Sequence, residues 1–379
     1  GEYTTIATIT TTLASSDVYM SEKLGTAGTK YQYIRLTVNS TNTNTKFFTL
    51  SECYFLPATG DSETLISAYH NFAAASVLSN EIVTAATTLI NGEATLALAN
   101  TKKEIAALLD AAAGKVAEPG VAPALGQYPY ENYQALDAIS QSPSVTQETL
   151  DYAISTFKKS KNVPVYIIKS AWDTGYPKGS AIFYNGSEWR WKAPATIYNR
   201  EMWMTIPDYA QENVPVVESY DAANPSYEIC DYTTGKVMRD KKVQIVKVPN
   251  WDGVFSLQYN ADGNSTDAAQ HAQSGGKLVN WKVAQANDCQ ASGWIVQFIG
   301  TSYELDQLTD EYLSDTRTVA EQLVGVNVPA YNFAEGVNNY NTAGKTAFDD
   351  AVAKRNDVLG EFSSVDEISA AKTQLETAI

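Results

Sequence analysis

Three stretches of this chain share one rhythm, and that rhythm limits the possible folds more than any single residue does. A bulky residue closes a short strand, about a dozen residues pass, and a second apolar strand begins. Trp191-Lys-Ala leads to Trp203-Met-Thr-Ile206, Val243-Gln-Ile-Val to Phe255-Ser-Leu-Gln-Tyr259, and Trp281-Lys-Val to Trp294-Ile-Val-Gln-Phe298. A β unit this short cannot bury its own apolar face, so the copies must close on one another. A threefold all-β domain is therefore expected over residues 162–302.

The residues around these strands carry a resemblance. His271-Ala-Gln273, Leu278-Val-Asn-Trp281 and Ser292-Gly-Trp294-Ile-Val stand in the third copy. Tyr227-Glu-Ile-Cys-Asp-Tyr-Thr-Thr-Gly235 stands in the second, and Val165-Tyr-Ile-Ile168, Trp191-Lys and Trp203 in the first. Together, residues 163–300 resemble a β-trefoil of the ricin-type lectin class, in the divergent form found in secreted bacterial glycan-processing proteins. The Gln-x-Trp signature of the better-known lectins is absent from all three copies. The resemblance implies the trefoil fold and a glycan as partner.

Strand-like and helical segments flank this region. Residues 1–58 read as strands, with clean alternation in Tyr31-Gln-Tyr-Ile-Arg-Leu-Thr-Val38. Tyr33–Val38 followed by Phe48-Thr-Leu-Ser-Glu52 resembles the last strands of a discoidin-like (coagulation factor 5/8 type) sandwich, and the block is too short for a whole one. Residues 59–161 change to helical period. Helices are expected from Asp61, over Thr101–Val116, Tyr130–Ile139 and Thr146–Lys159, packed as an antiparallel bundle, with Ser144-Val-Thr-Gln147 as a capping signal. Residues 303–379 return to that period. One helix is expected over Ser302–Val324, another through Phe348, Val352 and Val358, and a last one opened by Ser364-Val-Asp-Glu. Gly126-Gln-Tyr-Pro-Tyr and Gly336-Val-Asn-Asn-Tyr340 echo each other, and both helical blocks resemble the FIVAR-like modules of bacterial surface proteins, which implies spacing and attachment. The fold class expected is a multidomain α+β chain, an all-β trefoil between helical bundle segments with a β segment in front.

Charge excludes some partners. The net charge is −16 and no Lys/Arg run exceeds three residues, so neither nucleic acid nor an anionic membrane surface is an expected partner. No stretch approaches the roughly 18 apolar residues of a membrane span. Low charge with abundant Thr, Ser, Asn and Tyr suits an extracytoplasmic protein. The absence of a signal peptide, the Gly1-Glu2 start and the helical pattern at Leu375–Ile379 suit a piece of a longer secreted precursor.

The chemistry available is sparse. Cys53, Cys230 and Cys289 form no Cys-x-x-Cys; Cys230 and Cys289 either pair or remain buried thiols. His70 and His271 have no metal-ligand spacing, and Asp262-Gly-Asn-Ser-Thr-Asp267 lacks the distal Glu of a calcium loop, so no metal and no cofactor is expected. Glycoside hydrolysis needs two carboxylates about 5–10 Å apart, which sequence alone does not exclude. Binding is favoured over catalysis.

Sugar rings present an apolar C–H face to aromatic side chains, so the tryptophans are the candidates. Trp191 matches Trp281 and Trp203 matches Trp294. Shared positions are expected in the core, as is Trp189, two residues from Trp191. Trp172 and Trp251 have no counterpart and sit in turns beside acids. The candidate binding set is therefore Trp172, Asp173, Tyr176, Trp251, Asp252 and His271, the last either a turn-stabilising residue or a ligand contact. The competing reading is a spacer or scaffold whose trefoil carries no site.

Overall fold

In the computed structural model the described residues are 68, 80–172, 179–260, 267–271, 276–285, 288–331 and 342–379. The strands expected over 1–58 and, apart from Ala68, the helix expected from Asp61 lie outside them. The chain is mixed α+β. Helices α1 (Asn80–Ala112), α2 (Tyr130–Gln141) and α3 (Gln147–Lys159) precede the strands, and α4 (Ser302–Leu305), α5 (Asp310–Val324), α6 (Thr342–Gly360) and α7 (Val365–Ala378) follow them. Between lie β1 (Pro164–Ser170), β2 (Ala181–Tyr184), β3 (Trp189–Lys192), β4 (Trp203–Thr205), β5 (Val216–Val217), β6 (Tyr227–Asp231), β7 (Val237–Lys247), β8 (Phe255–Gln258), β9 (Ala268–His271), β10 (Leu278–Trp281) and β11 (Gly293–Thr301).

Helix boundaries follow the local chemistry, with two departures from the expected spans. Helix α1 starts well before Thr101. Its threonines would ordinarily disfavour helix, but Thr88, Thr95 and Thr101 return their hydroxyls to the carbonyls of Thr84, Asn91 and Ala97, 2.8–3.1 Å away. The single helix expected over Ser302–Val324 is two. Thr301 and Glu304 form a capping box for α4, and Thr309 then caps α5 by accepting from the Tyr312 N–H at 3.1 Å. A second N-cap inside the periodic run restarts the helix. The capping box expected at Ser364 is present, closed with Glu367, while the cap expected around Ser144 is made by Thr146, whose hydroxyl accepts from Thr149.

The described residues fall into two compact bodies, those up to 110 with 136–154, and those of 111–135 with 155–379. In the first, Ile105, Leu109, Leu136, Leu150 and Ile154 are buried, and Lys102 donates to the Ser142 carbonyl at 3.0 Å.

In the second body the strand pairings close on themselves. β1 pairs β4, β6 pairs β7, and β8 pairs β11; these three pairs are joined by β4–β6, β7–β8 and β11–β1. The result is a closed ring of six strands, antiparallel throughout, built from three consecutive two-strand segments. Hairpin β2–β3 is inserted between the two strands of the first segment and hairpin β9–β10 between those of the third. In the middle segment the short turn between β6 and β7 replaces it. Closure removes free edges from the ring itself. The middle copy marked by Val243 and Phe255 therefore straddles two segments: Val243 lies in β7, the last strand of the second, and Phe255 opens β8, the first strand of the third.

β1 is buried on both faces. Tyr166 and Ile168 point into the ring, where they join Ile182, Trp189, Met204, Ile229, Met238, Ile245, Leu257, Leu278, Trp294 and Val296. Val165 and Ile167 point outward into a second core with Trp203, Leu313, Ala320, Leu323, Val358, Ile368 and Leu375 from the C-terminal helices. Alternation on a strand covered on both sides produces the unbroken apolar run Val165-Tyr-Ile-Ile168. A bulge assists. Val165 faces Gly300 while Tyr166 faces Phe298, so Ile299 is skipped and packs with the helical core.

The tryptophans are one residue out of phase with the matching made above. The turns Arg200–Met202 and Gln290–Ser292 align Trp203 with Gly293 and Met204 with Trp294. Trp203 and Trp294 are both fully buried, but on opposite sides of the ring wall. Likewise Trp189 aligns with Leu278, both inside the ring. Trp191, two residues from Trp189, stays buried, whereas Trp281, three from Leu278, turns outward and is 44% exposed. Trp281 is thus not the core residue expected.

Tyr198 ties the helices to the ring. Its hydroxyl lies 2.8 Å from the Val358 carbonyl and 2.9 Å from that of Glu361, and it accepts from the Ser363 N–H at 2.9 Å. Burial pushes its ionisation up to about 12. Cys230 and Cys289 are free thiols. Burial, aided by Glu228, Asp208 and Asp231, pushes the Cys230 thiol up to about 12.

Two measurements check this packing. Trp203→Ala should cost about 3–5 kcal/mol of stability in denaturant titration, and Trp281→Ala no more than about 0.5 kcal/mol; equal losses would refute the phase assignment. Cys230 should resist iodoacetamide at mildly alkaline pH in the native protein and react after denaturation, because only the thiolate attacks.

Candidate aromatic site

The first of the two unmatched tryptophans leaves the end of β1. The Ala171 N–H donates to the Gly293 carbonyl at 3.0 Å, and the Trp172 N–H to the Ser170 hydroxyl at 3.3 Å. Trp172 is half-buried. Asp173 and Tyr176 lie outside the described residues.

The second sits in the turn joining β7 to β8. Val248 N–H bonds the Val254 carbonyl at 3.0 Å, Trp251 N–H that of Val248 at 3.3 Å, and Val254 N–H that of Trp251 at 3.2 Å. Asn250 and Gly253 adopt positive φ, 59° and 68°, which those residue types tolerate best. The turn holds Trp251 against the buried cluster of Val248, Val254 and Ala284, on which Ala171 also packs. Asp252, next along, is exposed.

Gly293 joins the two. A Cβ there would lie 2.9 Å from Cζ3 of Trp251, 3.1 Å from the Gln290 carbonyl and 3.1 Å from Val254 Cγ1. Its φ of −92° suits any residue, so the glycine is required by contact rather than by backbone conformation. Its carbonyl holds Ala171, its α-carbon bears the Trp251 ring, and residues 80 positions apart in sequence meet on one small apolar cluster. In the first segment the aligned position is Trp203 itself, covered by the helices.

The neighbouring thiol is not activated. Cys289 stands just before the Gln290–Ser292 turn, and burial together with its hydrogen bond to Asp288 raises its ionisation. A protonated thiol is a poor nucleophile. What the surface offers is aromatic area with a carboxylate beside it. Among the described residues no group of three His, Cys, Asp or Glu side chains is arranged to hold a metal. His271 lies elsewhere in the pairing scheme, on β9 opposite Leu278 of β10.

Sequence reasoning named both tryptophans but not the contacts that link the Trp251 turn to the end of β1, and it missed Gly293 and Ala171. The signal for Gly293 was a glycine at the position where the first segment carries Trp203. Comparison with protein-family models finds no match, and comparison with curated proteins and with solved structures finds none either.

Gly293→Ala tests the geometry. The backbone oxygen of Gln290 cannot retreat far, so the Trp251 ring must move. The variant should lose about 1–3 kcal/mol and shift the tryptophan emission; unchanged emission and stability would refute the contact.

Proposed function

We propose that this chain is a non-catalytic carbohydrate-binding region of a secreted or surface glycan-handling protein. In this reading the closed ring is a β-trefoil of the ricin-lectin kind, its middle hairpin reduced to a turn, and the helical segments serve as spacers. The trefoil reading is supported by six ring strands contributed in pairs by three successive segments, two of them carrying inserted hairpins. The binding reading is carried by one observation: half-buried Trp251 packs on Gly293 with the exposed Asp252 next along, and the half-buried Trp172 directly follows Ala171, whose N–H bonds the Gly293 carbonyl. An aromatic face matches the C–H face of a sugar ring, and a carboxylate accepts from its hydroxyls. The secreted location rests on composition. No helix among the described residues is long and apolar enough to cross a membrane.

A second reading has its own support. Trp251 already packs on Gly293 and the Val248–Val254–Ala284 cluster. A ring so used also serves a scaffold domain with no ligand.

Tryptophan fluorescence titrated with a panel of polysaccharides separates the two. Binding should be seen with at least one neutral glycan and should weaken about tenfold, or 1.4 kcal/mol, in Trp172→Ala. Trp251→Phe, which keeps most of the packing, should weaken it too without a large loss of melting temperature. No binding across the panel would favour the scaffold.

A further inference from the structure

We infer that the cleft between the turn preceding β4 and helix α5 is a binding site for a small carboxylate. It is distinct from the aromatic cluster and does not depend on it. The cleft is open to solvent and holds about 210 Å³; buried Tyr198 and Leu313 line it together with charged groups.

Its charges are not all paired with one another. Arg200 is committed: one Nη lies 3.1 Å from an Asp310 oxygen, the other donates to the Leu308 carbonyl at 3.0 Å, and its guanidinium carbon stands 5.4 Å from the centre of the Trp203 ring. Glu201 is paired with Lys192. Both carboxylates of the cleft therefore have their cations, and Arg317 is left over. It is half-buried, lines the same cleft, and forms no ion pair or hydrogen bond with another described residue. The lining carries two arginines and two carboxylates, but Glu201 is engaged by Lys192 from outside it and Asp310 by Arg200, so the Arg317 guanidinium has no carboxylate partner among the described residues.

The Arg317 charge is permanent, because a guanidinium does not shed its proton in proteins. Its planar fork matches a carboxylate bidentately. Ser314, three residues earlier on α5, brings a hydroxyl to the same cleft. The volume lies below the roughly 300–1,000 Å³ of sites for drug-sized ligands, so the occupant is small or is one residue of a larger molecule. One unpaired guanidinium matches a monoanionic carboxylate in charge, whereas a dianionic phosphate would leave one charge uncompensated. The carboxylate comes either from a free small acid or from a uronic acid residue of a polysaccharide.

Isothermal titration with galacturonate, trigalacturonate, glucose and inorganic phosphate tests the site, in the full chain and in Arg317→Gln. Galacturonate should bind with a Kd of about 1 mM or tighter, glucose should not, and Arg317→Gln should weaken binding about tenfold or more without moving the melting temperature. A trimer tighter than the monomer assigns the site to polymer; equal affinity assigns it to the free acid. Trp172→Ala should leave this binding intact. Galacturonate binding that is absent, or survives Arg317→Gln, or is lost in Trp172→Ala, overturns the proposal, as does tighter binding of phosphate.

Discussion

The two-sided burial of β1 is the constraint on which the second compact body depends. Tyr166 and Ile168 fill the ring, while Val165 and Ile167 floor the helical core. Fully burying an aliphatic or aromatic side chain is worth about 1.5–3 kcal/mol, so four consecutive residues anchor two cores through one strand. The Ile299 bulge and the Tyr198 hydroxyl work to the same end. The first hands a β11 side chain to the helices, and the second satisfies backbone groups where α6 gives way to α7. Ring and helices are consequently not separable modules.

The three segments share a backbone plan but cover their outer faces differently. At the aligned position the first uses Trp203 beneath Phe362, with Arg200 over the indole. The third uses glycine, and the vacated space is taken by Trp251 from the neighbouring turn. One tryptophan is thereby withdrawn from the surface into a helical interface while another is presented at the surface. The cleft at Arg317 arises from the same asymmetry, since it exists only where α5 lies against the turn carrying Arg200.

Much of the element plan was legible in the sequence, and the reasons are local. Helix period and capping chemistry marked α2, α3, α6 and α7, and alternating apolar runs marked β1 and β11. The threefold rhythm was legible too, but its phase was not. Matching tryptophan to tryptophan aligned residues by type, whereas the chain aligns them by the 3-10 turn preceding each strand, one position away. On a strand that single step changes the face, and this is why Trp281 proved exposed. The split of α4 from α5 was visible as Thr309, yet periodicity spoke louder than the cap. The packing of Trp251 and Ala171, the neighbour of Trp172, on one cluster was not legible at all, because it is made by ring closure between strands remote in sequence. Of the remaining candidate residues, Asp252 is on the surface beside Trp251, His271 is placed only by its backbone on β9, and Asp173 and Tyr176 fall outside the described residues.

The outward face of β1 also has a consequence for synthesis. Val165, Ile167 and Trp203 emerge from the ribosome long before their partners Val358, Ile368 and Leu375. At about 5–20 residues per second, the ring, complete at Thr301, carries an uncovered apolar stripe for roughly 3–15 seconds before the stretch from Val358 to Leu375 follows. Such a stripe is a natural target for a chaperone, and its burial waits for α6 and α7. Conditions that slow translation through α6 and α7 lengthen the interval in which the ring can associate with its copies instead of with its own helices.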